Sequence, residues 1–329
     1  MITEIKKLDA ESIEIAKKIL LDGGVIGIPT ETVYGLAAIG TIDSAVKKIF
    51  EIKGRPADNP LISHVHKDYD LNRLCYIDQQ YVYKLIERFM PGPLTLVMKS
   101  KGVLSNVATC GGDTLAVRMP SHEGCQKLLK AVDMPLVAPS ANLSKHTSPV
   151  TAKHVYDDLN GKISLILDGG KSSGGIESTV LDVTEKTPRI LRAGLITKEM
   201  IEKVVGCCEI AEHKDGDKVK SPGVKYRHYR PKCDTMLFES GDINGVLCAY
   251  EKAEKQGKRT YIMCESHLKG KFLNKNLLLL GDTPESVASN LYDQLLYGEK
   301  VADLIIAIAM PNEKGVYMGV MNRLRKSCG

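Results

Sequence analysis

The run Gly23-Gly24-Val25-Ile26-Gly27-Ile28-Pro29-Thr30-Glu31-Thr32-Val33-Tyr34-Gly35 sets the fold class of this chain. Ahead of it, Ile13, Ala16, Ile19 and Leu20 stand at helical spacing behind an Asp9 cap, and the glycine pair stops that helix. The apolar run 25–28 has the length of a buried strand, and PTETVYG then sets two threonine hydroxyls and Glu31 directly behind it. Open α/β sheets bind ligands at such strand ends. Taken alone, the Thr-x-Thr is better explained as a capped turn into a helix.

The same alternation continues outward. Helices are predicted near 42–52 and 123–132, and strands near 61–65, 94–98, 115–117, 136–137, 165–167, 180–183 and 190–191, which suits a twisted sheet with helices packed outside. A chain of 329 residues exceeds what one core comfortably serves, so two domains are expected. Between Cys207 and Lys232 the pattern changes to a polar stretch, then to SPGVKYRHYRP at 221–231, dense in proline, glycine, basic residues and tyrosine. The expected division is therefore a domain over 1–206, a linker over 207–232 and a smaller α/β domain over 233–329. In the latter, 244–249, 259–264, 277–280 and 304–308 read as buried strands, with a helix at 283–296.

A composition of 43% hydrophobic and 26% charged residues excludes a disordered chain. The N-terminus lacks a basic head before an apolar run, and no stretch reaches bilayer length, so a cytoplasmic location without membrane contact is expected. Nine scattered cysteines with no C-x-x-C pair argue against a disulfide framework, a zinc site or a catalytic thiol. A net charge of +5 permits nucleotide or RNA contact without demanding it.

Several polar segments follow strands. In KGRPADNPL (53–61), Lys53 offers a point charge and Arg55 a fork to phosphate oxygens, or both simply complement a helix C-terminus. His64 and His66, two apart, face one side of a strand, and without a third ligand they do not make a zinc site. Arg118 ends an apolar strand. The loop 135–152 presents Ser140, Asn142, Ser144, Thr147 and Ser148, which cradle phosphate and ribose or form an ordinary Ser/Asn turn. GIEST (175–179) follows a glycine-rich run, and Arg192 closes a strand as Arg118 does. Neither G-x-x-x-x-G-K-[ST] nor G-x-G-x-x-G occurs. The residues by themselves point to a nucleotide or anion site in the first domain.

In order, GGVIGIPTETVYGLAA, KGRPADNPL, FMPGPLTLV, LAVRMPSH, VAPSANLSKHTSP, GIESTVLDV and ILRAG closely resemble the YrdC/Sua5 family of threonylcarbamoyl-AMP synthases, across residues 8–194. The linker and the tail GVYMGVMNRL (315–324) resemble its long Sua5 form. The resemblance implies a twisted, open-barrel-like α/β catalytic domain with a positively charged cavity, followed by a small Rossmann-like α/β domain. It implies a nucleotidyltransferase making threonylcarbamoyl-AMP and pyrophosphate from L-threonine, bicarbonate and ATP with Mg²⁺, and no organic cofactor. The product serves the N6-threonylcarbamoyladenosine (t6A) modification of tRNA. Carried over, Thr32, His64, Arg118 and Ser178 should hold threonine. Lys53, Arg55, Asn59, Thr114, Ser140, Asn142, Ser148 and Arg192 should hold ATP, with the Mg²⁺ carried on its phosphates. Tyr229 or Tyr226 should reach over the nucleotide as part of a lid, Tyr229 being favoured, unless both only pack the linker. Asp58 departs from the expected loop and adds a negative charge near the phosphates. Partners implied are tRNA or double-stranded RNA and a downstream threonylcarbamoyl transferase complex. The competing readings are a non-catalytic double-stranded RNA or tRNA-binding module and an O-carbamoyltransferase of the hydrogenase-maturation type, whose paired-cysteine zinc modules this chain lacks.

Overall fold

A computed structural model describes residues 1–211 and 229–328. Its first unit holds β1 (Glu4–Lys7), β2 (Ile26–Ile28), β3 (Gly35–Ile39), β4 (Ile62–His64), β5 (Cys75–Tyr76), β6 (Leu94–Ser100), β7 (Thr114–Arg118), β8 (Leu136–Val137), β9 (Leu165–Asp168), β10 (Thr179–Asp182), β11 (Arg189–Arg192) and β12 (Glu209–Ile210). They form one mixed sheet in the order β1-β9-β2-β3-β8-β4-β7-β6-β10-β11-β12, with β5 on β6. The helices of this unit are α1 (Ala10–Leu21), α2 (Asp43–Lys53), α3 (Tyr81–Phe89), α4 (Asn106–Thr109), α5 (Glu123–Val132), α6 (Ala152–Leu159) and α7 (Lys198–Val205).

The opening segment folds as its residues dictate. Asp9 and Ser12 form a reciprocal capping box at the start of α1. Gly27 of β2 lets Ile166 and Val155 side chains approach to 3.3 Å of where a Cβ would sit, closing the sheet tightly. PTETVYG leads not into a helix but into β3, which returns antiparallel to β2. Leu36 and Ala38 enter one core with Val46, Ile49, Leu96 and Val117, while Ala37 and Ile39 enter another with Ile26, Ile28, Leu128 and Leu167. A strand buried on both faces reads as an unbroken apolar run and hides its period of two.

The second unit is a parallel sheet, β13 (Asp234–Phe238), β14 (Thr260–Cys264), β15 (Leu277–Leu279) and β16 (Leu304–Ile308), in the order β13-β16-β14-β15. Helix α8 (Ile243–Lys255) packs on one face, and α9 (Pro284–Val301) and α10 (Val316–Cys328) on the other. The expected strand at 244–249 is therefore helical. Asp242 caps Gly245, and Val246, Tyr250 and Ala253 are buried at i, i+4 and i+7, a period the short apolar run conceals. The edge strand β13, with its alternating exposure, was not anticipated from sequence. Residues 209–210, expected in the linker, pair with β11 of the first sheet.

The two units share a core. Val33, Val150 and Ile176 of the first cluster with Val287, Leu291, Tyr292, Val320 and Leu324 of the second. The contact is closest at Gly175, whose φ is +70° and whose Cβ would lie 2.3 Å from the Ala288 carbonyl oxygen of α9. Gly175→Ala should destabilise the protein by about 2–4 kcal/mol, combining left-handed strain with overpacking. Gly102→Ala, at a φ of +71° in open space, carries the strain alone. Thermal melting should place Gly175→Ala well below Gly102→Ala; equal midpoints would mean that the close approach is not tight.

Candidate functional site

Parallel pairing of β4 with β7 sets His64 opposite Arg118 at the C-terminal ends of both strands. Around these ends, the 29–35 turn, the C-terminus of α2, the loop after β8, the start of β10 and the end of β11 line a cavity that opens to solvent.

Arg118 is 3% exposed. Its Nη1 donates to Thr32 Oγ1 at 2.7 Å, and its Nη2 lies 2.7 Å from Glu31 Oε1. Beyond that ion contact, Nη2 makes no hydrogen bond among the described residues, so it retains donor capacity. Thr30 braces the turn, its hydroxyl donating to the Val33 carbonyl and meeting that of Thr32 at 2.9 Å. Burial, with the Arg118 charge close by, pushes His64 down to about 3, so the ring is neutral. Its Nδ1–H donates to the Ile62 carbonyl at 3.1 Å, which leaves the remaining lone pair on Nε2.

On the other side, Lys53 in the last turn of α2 donates to the carbonyls of Ser140 and Asn142, at 2.5 and 2.7 Å. Burial, with the Arg55 charge nearby, lowers it to about 7. The left-handed Gly54 ends α2 and turns the chain so that Arg55 reaches the cavity, while its Nη2 donates to the Asn59 carbonyl outside the lining. Asn142 ties its own loop, donating to the carbonyls of Leu143 and His146. Arg192 donates to the Ser178 carbonyl and hydroxyl, and Ser178 Oγ sits 2.8 Å from Thr95 Oγ1. Glu177 is buried among them, accepting from Ser148 at 2.7 Å, from Tyr292 at 3.0 Å and from Arg323 at 3.1 Å. Burial alone would raise its carboxyl, yet Arg323, Arg192 and Ser148 hold it down to about 2. Tyr229 is 5% exposed and stacks on Tyr292 at 5.3 Å.

The cavity thus brings together Thr32, His64, Arg118, Ser178, Lys53, Arg55, Ser140, Asn142, Ser148, Arg192 and Tyr229 of the expected set. Asn59 and Thr114 are not in its lining. Ala116 pairs with Ile62, so Thr114, two residues earlier in β7, lies toward the 55–61 loop that carries Asn59, at the opposite end of the strand from Arg118. Asp58 also stays outside the lining, and Tyr226 lies outside the described residues. His66 turns away from the cavity and pairs with Asp133 at 3.0 Å. Sequence reasoning missed Glu177 as a hub, and Tyr292 and Arg323 altogether. Glu177 falls inside the quoted GIEST, and Arg323 inside the quoted tail, but nothing local reveals that residues 146 positions apart meet.

A cation-lined cavity at the strand ends of an α/β sheet defines a site for anionic small molecules. Residues 18–194 match the Sua5/YciO/YrdC family, described as telomere recombination, and residues 196–329 match the Sua5 C-terminal domain, described as threonylcarbamoyl-AMP synthase, C-terminal domain. A threonylcarbamoyl-AMP synthase of Pyrococcus abyssi is 41% identical over 98% of this chain and 96% of that protein. Its namesake in Bacillus subtilis is 39% identical over 95% and 92%. The crystal structure of P. abyssi Sua5 complexed with L-threonine superposes with a TM-score of 0.90 at 40% identity, covering 99% of this chain and 96% of that one. The chain belongs to the Sua5/YrdC family, in its long, two-domain form.

Lys53 generates a testable pH dependence. Its folded value of about 7 leaves it largely neutral above pH 7; a phosphate bound beside it would favour the ammonium, so that binding would take up a proton. Calorimetric ATP affinity should fall several-fold from pH 7 to 9, while Lys53→Met binds more weakly and shows no such fall. A pH-independent wild type would mean that Lys53 stays charged.

Proposed function

We propose that this protein is an L-threonylcarbamoyladenylate synthase, joining L-threonine, bicarbonate and ATP into threonylcarbamoyl-AMP and pyrophosphate. The observation that carries this reading is Arg118, a buried guanidinium with unused donor capacity, in one cavity with Lys53, Arg55 and Arg192. A threonine carboxylate on one side and a triphosphate on the other match that division of charge. Similarity to a Sua5 complexed with L-threonine supports the threonine half.

Arg118 grips the threonine carboxylate, while Thr32 and Ser178 offer hydroxyls and His64 Nε2 accepts from the substrate's amino or hydroxyl group. A neutral His64 does not repel the amino group. The amine, once deprotonated, adds to bicarbonate to give the N-carboxy anion and water. A carboxy oxygen then attacks the α-phosphorus, the bond to the β-phosphate oxygen breaks, and pyrophosphate leaves. No protein nucleophile is required, so rate comes from positioning and from neutralising charge at the phosphates. Lys53, Arg55 and Arg192 supply that neutralisation, and Ser140, Asn142 and Ser148 hold the nucleotide. Glu177, the acid in the lining, is already engaged by Ser148, Tyr292 and Arg323. Mg²⁺ would arrive on the ATP phosphates and lower their charge. Tyr229, stacked at the cavity edge, covers the nucleotide side. The product feeds t6A formation at tRNA position 37 through a threonylcarbamoyl transferase.

Pyrophosphate release by the purified protein with ATP and Mg²⁺ should require both L-threonine and bicarbonate, with serine a poor substitute. Arg118→Ala should cut threonine-dependent kcat/KM by about 100-fold or more, as loss of a charge-paired hydrogen bond does, and leave ATP affinity within about twofold. Release independent of threonine, or an unaffected Arg118→Ala, would overturn the reading.

A further inference from the structure

Helices α9 and α10 of the C-terminal unit do more than adhere to the first. Arg323, 0% exposed, sends Nε to Glu177 and Nη1 to the Ala193 carbonyl at 2.5 Å, beside Arg192. Gly319, one turn earlier, brings α10 so close that a Cβ there would sit 3.2 Å from the Gly194 Cα. Tyr292 of α9 donates to the same carboxylate with its hydroxyl and stacks its ring on Tyr229. Apolar residues alone could glue two units together, and a buried guanidinium adds a desolvation cost that adhesion does not require. Here the charge is aimed at the back of the cavity.

The carboxylate of Glu177 lies within electrostatic reach of two guanidiniums, Arg323 foremost and Arg192 second. We infer that Arg323, aided by Tyr292, is a positioning residue for ATP: by saturating Glu177 it keeps Arg192 on Ser178 and directed to the nucleotide rather than drawn back onto the carboxylate. Without Arg323, Glu177 would be a buried anion short of a partner, and Arg192 is the cation that acts on it most strongly after Arg323. Ser148 shares Glu177, so the hydroxyl loop would shift with it. The second unit thereby sets the competence of a site to which α9 and α10 contribute no lining residue. This inference rests on reading that half of the cavity as the ATP site.

The test measures equilibrium ATP and threonine binding in full-length variants at a temperature well below their melting points. Arg323→Met should weaken ATP binding by about tenfold or more and leave threonine binding within about twofold. Adding Glu177→Gln to Arg323→Met removes the unpaired anion, frees Arg192 and should restore ATP affinity to within about threefold of wild type. A merely structural interface predicts the opposite, the double variant being no better than the single and both ligands suffering alike; that result overturns the inference. Should Arg323→Met fail to fold, Tyr292→Phe, which keeps the stacked ring and loses the hydroxyl bond, should weaken ATP binding by about two- to fivefold with threonine unchanged, and equal effects on both ligands overturn it. Wild type that binds ATP without turnover would sink the synthase reading and leave this inference standing; wild type that binds no ATP would sink both.

Discussion

The constraint on which this molecule depends is the burial of cations around one cavity. Lys53, Arg118, Arg192 and Arg323 are each 8% exposed or less, and the buried carboxylates beside them are Glu31 and Glu177. Arg118 pairs with Glu31 and Arg323 with Glu177, while Lys53 and Arg192 are held on backbone carbonyls. Buried charge is tolerable only where partners are fixed in place. The sheet provides that fixity, because strand ends, turns and helix termini carry the partners and the surrounding strands are packed on both faces. What remains is a positive potential inside the protein, matched to polyanionic and carboxylate ligands rather than to the fold's own stability.

That arrangement explains why the chain has two units with a common core. The buried carboxylate of Glu177 in the cavity lining is held by helices from the second sheet, and the close approach at Gly175 and Gly319 brings those helices within reach. Packing, charge and ligand geometry are coupled there, so the C-terminal unit belongs to the site's construction.

Much of this was legible in the sequence, for physical reasons. The strand ends were visible because short apolar runs terminate in PTET, PSAN and Arg192 while GIEST opens another, and polar residues at those points have few structural explanations once they recur. Arg118 was visible because a strand that ends in arginine must find an anion or solvent. The quoted motifs supplied the family, and the comparisons agree with it. The helix at 244–249 was misread because five apolar residues in a row carry no decisive period until Val246, Tyr250 and Ala253 are seen on one face. β13 was missed because an edge strand buries little. Thr114 was carried over by motif, and the β4–β7 register places it at the end of its strand opposite Arg118. Tyr292 and Arg323 could not be found by local reasoning, since their partner is over a hundred residues away.

The central claim is that the buried cations assemble an acyl-adenylate from three substrates. Its most direct test is mass spectrometry of the product formed from ATP, L-threonine and ¹³C-bicarbonate. The account predicts threonylcarbamoyl-AMP carrying a single ¹³C in its carbamoyl carbon. AMP or ADP alone, or an adenylate of threonine without the labelled carbon, would contradict it.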